Sequence, residues 1–465
     1  MSGPAMPPAP AGAAFGLAWP CPLFAYQKAG IETLIGASSL LLADEMGLGK
    51  TVQAIAALRI LIGRGEVRRA LIVCPAGLIV QWRRHLRLWA PEVATSTAVG
   101  TVEERHGAWR RDVAVYLTSF DSLRNDFRIA RNYGPARRCW DVAVLDEAQR
   151  IKNPRTDIAM IAQRLKRARS WALTGTPLEN RLDDLVSVLD FAAAGRFDRR
   201  TMAAGLRRLL GEVQLRRRRR EVLPDLPPKF VSTTLVELTA RQRAAYRRAE
   251  REGIVWLRSL GRELRISHVL ELILRLKQIC NFCPETDQSG KLADLRPRLS
   301  ALADSGEKAL IFSQFVEEPF GVRRLARELG DFRPLLLTGG LRPGMRAAVI
   351  EEFARDPARP ILLVSLRAGG LGLNLTAASC VFHFDRWWNP AVETQAEDRA
   401  HRIGQHRPVQ VFAYLCSDTV EERIDRILTE KRALFADVID GIGTDALGRF
   451  DLDSLLQAAV PDFRR

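Results

Sequence analysis

Three short stretches of the chain carry residue types suited to phosphoryl chemistry. Asp44-Glu45-Met46-Gly47-Leu48-Gly49-Lys50-Thr51 follows the apolar run Leu40-Leu41-Leu42-Ala43 and opens a helical run, Val52 to Ile62. Glycines in such a turn let backbone N–H groups crowd a phosphate, and the helix N-terminus adds positive potential. Lys50 can then reach the β- and γ-phosphates, and the Thr51 hydroxyl can hold Mg2+. Asp44 stands where the pattern G-x-x-x-x-G-K-[ST] has its first glycine, so the stretch alone also fits a plain strand-ending turn with Lys50 in solvent.

The second stretch, Asp146-Glu147-Ala148-Gln149, closes the apolar run Val142-Ala143-Val144-Leu145. Two acids at the carboxyl end of a buried parallel strand lie where doubly wound sheets bind ligands. Asp146 is placed to hold hydrated Mg2+, and Glu147 to take a proton from an attacking water. The competing reading is an acid-rich helix start. The third stretch is Gln395-Ala396-Glu397-Asp398-Arg399-Ala400-His401-Arg402, continuing to Gln405. Read as a helix, it puts Arg399 and Arg402 on one face. Two guanidinium groups there suit charge stabilisation on a γ-phosphoryl held opposite. They fit surface ion pairs with Glu397 and Asp398 equally well.

The elements that must position these groups are legible from period and punctuation. Apolar runs at Arg69–Val73, Val113–Thr118 and Ser170–Leu173 read as strands, the last ending in Thr174-Gly175-Thr176-Pro177. They alternate with helical patterns ending near Gly36, over Val52–Ile62 (amphipathic), and over Leu78–Trp89, which carries Gln81, Trp82 and Arg83. That alternation predicts a parallel α/β domain. Gln27, just ahead of the loop, has an amide able to pair with an adenine edge.

From Phe191 helical patterns run to Leu215, then Arg216–Arg220 leads into Leu223-Pro224-Asp225-Leu226-Pro227-Pro228. The prolines mark an interdomain connection. The arginine run fits either a solvated face or phosphate contacts. Helical patterns follow at Ala240–Leu260 and Val269–Ile279. A second strand–helix alternation then runs through Lys308–Ser313, Pro334–Leu337, Ile361–Ser365, Val381–Phe384 and Val409–Leu415. It has a glycine-rich turn, Ala368–Leu375, and no second Gly-Lys-Thr, so it is expected to complete a site begun elsewhere.

Composition narrows the partners. The chain has 465 residues, 47% hydrophobic and 27% charged, a length that predicts two or more domains. No apolar run approaches the roughly 18 residues that span a bilayer. Net charge is +16 and the sequence pI about 10.1, which points to a polyanion, nucleic acid first. The seven cysteines are odd in number and scattered, the pattern of a reducing compartment. Cys280-Asn281-Phe282-Cys283 is a lone C-x-x-C, short of the four ligands of a structural zinc site. Met1–Ala14 is rich in Pro, Ala and Gly and reads as a disordered tail.

Taken together, the motifs resemble the SWI/SNF-type (switch/sucrose non-fermenting) branch of superfamily-two helicase-like ATPases, in a compact bacterial form. The matching residues are Tyr26-Gln27, Asp44–Thr51, Asp146–Gln149 with Ile151-Lys152-Asn153, Leu173–Asn180, Leu215–Lys229, Gln278–Asn281, Ile311–Phe315, Ser365–Ala377, Trp387-Trp388-Asn389-Pro390, Gln395–Gln405 and Thr419–Glu422. In that family Asp44 is the ordinary form of the loop, and Gln149 stands where many members have histidine.

The resemblance implies an α/β fold of two RecA-like parallel-sheet lobes. A tail over 1–16 precedes lobe 1 over 17–225, and lobe 2 over 226–465 has a helical protrusion at 226–290 and a core at 291–445. It implies ATP and Mg2+ as cofactors. Gln27, Asp44, Met46, Gly47, Leu48, Gly49, Lys50, Thr51, Gly370 and Gln395 are the implied nucleotide contacts. Lys50, Asp146, Glu147, Arg399 and Arg402 are the implied catalytic groups, with Thr51 and Asp146 on the metal. Thr118-Ser119, Thr174-Gly175-Thr176 and Thr376 are implied coupling or backbone-contact positions, and Trp387-Trp388 face either DNA or the core.

The implied activity is ATP-driven movement along double-stranded DNA with remodelling of bound proteins, in the bacterial cytoplasm at the nucleoid. A strand-separating helicase, or a nucleotide-switched binding subunit of a defence or repair assembly, remains open at this point.

Overall fold

Seven short strands form the first sheet: β1 (Ser39–Leu42), β2 (Ala70–Cys74), β3 (Thr95–Ala98), β4 (Val115–Ser119), β5 (Trp140–Asp146), β6 (Arg167–Leu173) and β7 (Gln214–Leu215). Their order is β3-β4-β2-β5-β6-β1-β7, and every pairing is parallel. The structure, a computed structural model, describes residues 16–129, 134–175, 182–193, 210–366, 373–387 and 390–426. The chain divides into two compact units, Met1–Pro224 and Asp225–Arg465.

The continuous apolar runs of the sequence follow from burial on both faces of the sheet. Leu40, Leu42, Ile72, Val142 and Val144 pack into one layer, while Leu41, Leu71, Val73, Ala143 and Leu145 pack into the other. Helix α1 (Ala25–Gly36), α2 (Lys50–Gly63) and α3 (Ile79–Trp89) cover the first of these faces. Helix α2 is not amphipathic, contrary to expectation. Every residue from Val52 to Leu61 is buried, because α2 packs against both α1 and α3. Helix α3 does show a one-sided stripe, with Ile79, Trp82, Leu86 and Trp89 inward.

The second sheet is β8 (Lys229–Val236), β9 (Ala309–Ser313), β10 (Leu335–Leu337), β11 (Ile361–Ser365), β12 (Cys380–His383) and β13 (Val409–Cys416), in the order β10-β11-β9-β12-β13-β8, again all parallel. Three strands escaped the sequence reading. β3 and β8 are rich in Thr and Ser and partly exposed, so they lack the apolar run that marks a buried strand. β7 is two residues long, too short for any period to register. The second unit therefore opens with a strand at the edge of its own sheet, and the helices Ala240–Ser259 and Ile266–Asn281 follow it.

Candidate active site on the first sheet

Because all seven strands are parallel, their carboxyl ends share one edge, and the predicted chemistry of the first unit collects there. Asp44 to Gly49 follows β1, Asp146 ends β5, and Thr174-Gly175 follows β6. The loop owes its shape to Gly47 (φ 86°) and Gly49 (φ 74°), both in the left-handed region that glycine alone enters freely. Gly49 caps α2 without a side-chain bond, and the first turn contains no acid, leaving Lys50 at the positive end of the helix dipole. Such a helix start is built for an anion. The Lys50 amine instead donates to the loop carbonyls of Asp44 (2.6 Å) and Glu45 (3.3 Å).

Close approach fixes the surroundings of the loop. A Cβ on Gly49 would lie 2.7 Å from the Gln27 amide nitrogen. One on Gly175 would lie 2.4 Å from Met46 Cγ and 3.1 Å from Lys50 Nζ. Gln27 is therefore buried against the loop, its Oε1 accepting from Phe24 N–H at 3.1 Å. Leu48 has a fully buried side chain, so it can offer a ligand only its backbone. Met46 is buried against Gly175, and Thr51 is half-buried at the helix start.

Asp146 is the most perturbed acid of the edge. Its carboxylate accepts from Trp82 Nε1–H (2.7 Å) and from Glu147 N–H (2.9 Å). Burial and the neighbouring Glu147 charge push its pKa up to about 7, against the lowering effect of Trp82, Lys50 and the Glu147 amide. A carboxyl whose pKa is raised by burial and a like charge at a sheet edge is the kind of group found at functional sites. Glu147 sits at φ 54°, a left-handed conformation that costs a non-glycine residue about 1–2 kcal/mol. Its Oε2 accepts from Gln149 Nε2–H at 2.5 Å, and Gln149 Oε1 accepts from the Thr174 hydroxyl at 2.9 Å. Gln149, which stands where many members of the resembled family have histidine, is thus the bridge between the two strand ends. Trp82 and Gln149 had no sequence signal for these roles beyond lying near the right motifs. The glycine cradle, the capless helix start and the carboxyl pair fit a magnesium nucleotide.

Two members of the arginine run follow neither the solvated-face nor the phosphate-contact reading, while Arg216 and Arg220 are exposed. Arg217 pairs with Asp44 and Arg219 with Glu45, so two members of the run bind the acids of the loop.

In the second unit the helix starting at Pro390 ends at Glu397. Arg399 and Arg402 therefore do not share a helical face, contrary to the spacing argument. Glu397 bonds His383 (3.3 Å) and Lys229 (2.7 Å), Asp398 lies 3.7 Å from Lys229, and His401 reaches the Pro227 carbonyl (2.7 Å). These anchors hold the chain in a turn. Arg399 is buried; Arg402 is half-buried and donates to the Leu373 carbonyl at 2.9 Å. Gln395 is half-buried on the helix, and the Thr376 carbonyl accepts from Gln405 Nε2–H. Trp387 packs half-buried against the second core, while Gly370, Thr176 and Trp388 lie outside the described residues.

The carboxyl edge of the second sheet has a saturated polar cluster. Asp385 Oδ2 accepts from Asn281 Nδ2–H (2.9 Å) and the Ser313 hydroxyl, and its Oδ1 accepts from Gln314 N–H (3.0 Å). The fully buried Lys291 amine donates to Asn281 Oδ1 (3.1 Å), the Phe384 carbonyl (2.9 Å) and Glu421 Oε1 (2.7 Å). Cys280 groups with Cys416 and Glu421, and Glu421 Oε1 already pairs with the Lys291 ammonium at 2.7 Å.

Residues 26–284 match the model of the SNF2-related domain, and residues 290–404 that of the helicase conserved C-terminal domain. The chain is 34% identical to a Mycoplasma pneumoniae protein named as an ATP-dependent helicase, over 88% of this chain and 41% of that one. It is 34% identical to Bacillus subtilis YwqA, named as an ATP-dependent helicase/translocase, over 89% and 48%. With the human SWI/SNF-related regulator of chromatin subfamily A member 1 it shares 32% identity over 87% and 42%. Among solved structures, the Sulfolobus solfataricus SWI2/SNF2 ATPase core in complex with dsDNA is 30% identical at a TM-score of 0.43, covering 95% of this chain and 97% of that one. The chain spans less than half the length of these three curated relatives. With more than half of its length inside the SNF2-related model and the helicase C-terminal model following directly, the chain belongs to the SNF2 family of helicase-like proteins.

Proposed function

We propose that this chain is a DNA-stimulated ATP hydrolase that moves along duplex DNA and displaces what is bound there. The observation that carries the reading is the convergence of Lys50, Asp146, Glu147 and the Gln149–Thr174 bridge on one sheet edge. The +16 charge supports a polyanionic track, and the helicase and translocase names of the bacterial relatives support movement on it.

In this mechanism the first-turn N–H groups of α2 and the Lys50 amine, released from the Asp44 and Glu45 carbonyls, hold the β- and γ-phosphates. Gln27 meets the adenine edge. Thr51 and Asp146 would hold Mg2+, which would supply charge neutralisation at the phosphates. Trp82 keeps the Asp146 carboxylate turned toward that position. Glu147 accepts the proton of the attacking water as the bond from the γ-phosphorus to its bridging oxygen breaks, and Gln149 holds the carboxylate in line. Arg399 and Arg402 keep the role that the family resemblance implies for them, positive charge for the γ-phosphoryl. A duplex track is contacted through its phosphates, which position the protein without reading sequence.

The test is ATP hydrolysis by the full chain with duplex DNA, single-stranded DNA, RNA or no nucleic acid, beside triplex-displacement and fork-unwinding assays. Duplex stimulation with triplex displacement is expected. Robust unwinding of naked duplex would replace the translocase reading with a strand-separating one.

A further inference from the structure

We infer that Arg217 is a positioning residue for the phosphate loop, acting through Asp44, Gln53 and Tyr26 rather than on phosphates; this rests on the nucleotide-site reading above. Asp44 occupies a position where many phosphate loops have glycine, and its carboxylate is completely buried. A buried carboxylate is costly unless its lone pairs are met. Here it accepts from Arg217 N–H (3.1 Å), Nε–H (2.9 Å) and Nη2–H (2.5 Å), and from Gln53 Nε2–H (3.2 Å). The planar guanidinium meets both carboxylate oxygens at once, a geometry that an ammonium cannot copy.

The remaining donors of Arg217 reach two helices beside the loop. Nη2–H also bonds Gln53 Oε1 on α2 at 2.8 Å, and Nη1–H bonds the Tyr26 carbonyl on α1. Gln53 and Tyr26 then converge on one atom of the loop: Gln53 Nε2–H (3.1 Å) and the Tyr26 hydroxyl (3.2 Å) both donate to the Leu48 carbonyl. That carbonyl orients the peptide leading into Gly49 and Lys50. Gly30 leaves room for the arrangement, since a Cβ there would lie 1.9 Å from Gln53 Oε1 and 2.7 Å from Arg217 Nη2.

Strand β7 supplies the register. Ala43 N–H donates to the Leu215 carbonyl (2.8 Å), Glu45 N–H to the Arg217 carbonyl (3.0 Å), and Arg219 N–H and Nε–H to the Glu45 carboxylate (2.8 Å each). The Arg217 side chain is only 14% exposed, with its donors turned inward. The same segment runs on to Pro224, where the first unit ends. The last strand of the unit is therefore the piece that sets the nucleotide loop.

The experiment uses the full chain and its Arg217→Gln, Arg217→Lys and Gly30→Ala variants. It measures the Kd of a fluorescent ATP analogue with Mg2+, KM and kcat for ATP, duplex DNA affinity against salt, and thermal unfolding. Arg217→Gln is expected to raise the nucleotide Kd and KM by about tenfold or more, with unchanged DNA affinity. Arg217→Lys is expected not to restore them. Gly30→Ala keeps every charge and is expected to copy the nucleotide defect, and it decides the question if Arg217→Gln does not fold. Nucleotide affinity of the folded variants within about twofold of wild type overturns the positioning role alone. So does normal nucleotide binding with a weaker, flatter salt dependence for DNA, the mark of a lost phosphate contact. A wild-type chain that binds no nucleotide overturns both this inference and the reading beneath it.

Discussion

The carboxyl edges of the two sheets have the same parallel construction and opposite electrostatics. On the first edge the ionised acid is disfavoured: burial and the Glu147 charge raise the Asp146 pKa to about 7, Lys50 donates to loop carbonyls, and Glu147 occupies a strained backbone position. On the second edge each carboxylate oxygen of Asp385 and Glu421 has a donor, and burial of the Lys291 amine is outweighed by Glu421, so that its pKa rises. Topology places polar groups at an edge, but the surroundings of each charge decide whether that edge suits a ligand or ties elements together. The first is a site. The second is a brace joining the helix Ile266–Asn281, β9, β12 and the turn after β13.

The largest expected effect is on the first edge. Glu147→Gln should lower kcat for ATP by about 10^2 to 10^4 while nucleotide affinity persists, measured by hydrolysis beside binding. Equal hydrolysis by wild type and variant would remove the base from the site.

The next effect belongs to the brace. Lys291→Met strands a buried Glu421 and should cost about 3–5 kcal/mol of stability in denaturant unfolding. Adding Glu421→Leu should recover most of it, because an apolar pair needs no counter-charge. A double variant as unstable as the single one would mean that the cluster is more than an ion-pair brace.

The pH response sharpens the same comparison. Burial would raise Glu397, but the His383 hydrogen bond and the Lys229 charge outweigh it and hold its pKa at about 2, below an ordinary value of 4.5. A depressed carboxylate contributes stability above the unfolded value, so up to about 3 kcal/mol should disappear as pH falls from 4.5 toward 2. Glu397→Gln should flatten that loss in acid unfolding curves. An unchanged slope would remove Glu397 from the acid response.

The smallest effect tests the inward support of the first edge. Trp82→Phe removes a donor from Asp146 and should raise the half-saturating Mg2+ concentration for hydrolysis about 10- to 100-fold in the folded variant. An unaltered Mg2+ requirement would make the 2.7 Å bond structural only.

Contiguous chemistry was legible without coordinates. Gly47, Gly49, Lys50 and Thr51 lie within one turn, and Asp146-Glu147 end an apolar run, so strand, loop and helix follow from local pattern alone. Patterns that depend on neighbours were misread. The α2 run looked amphipathic but is covered by a helix on either side. Arg399 and Arg402 do not share a helical face because the helix from Pro390 ends at Glu397 and the chain goes on in tight turns, with Glu397, Asp398 and His401 tied to other segments.

By itself the sequence determined the strand–helix alternation, the phosphate-loop type and the acids beside it, since each is set by residues close along the chain. Only the tertiary structure decided what meets them. Arg217 reaches Asp44 across 173 residues, Trp82 reaches Asp146 across 64, and Thr174 reaches Gln149 across 25. Sequence spacing cannot register such pairings, because they arise when parallel strands from distant stretches bring their carboxyl ends to one edge.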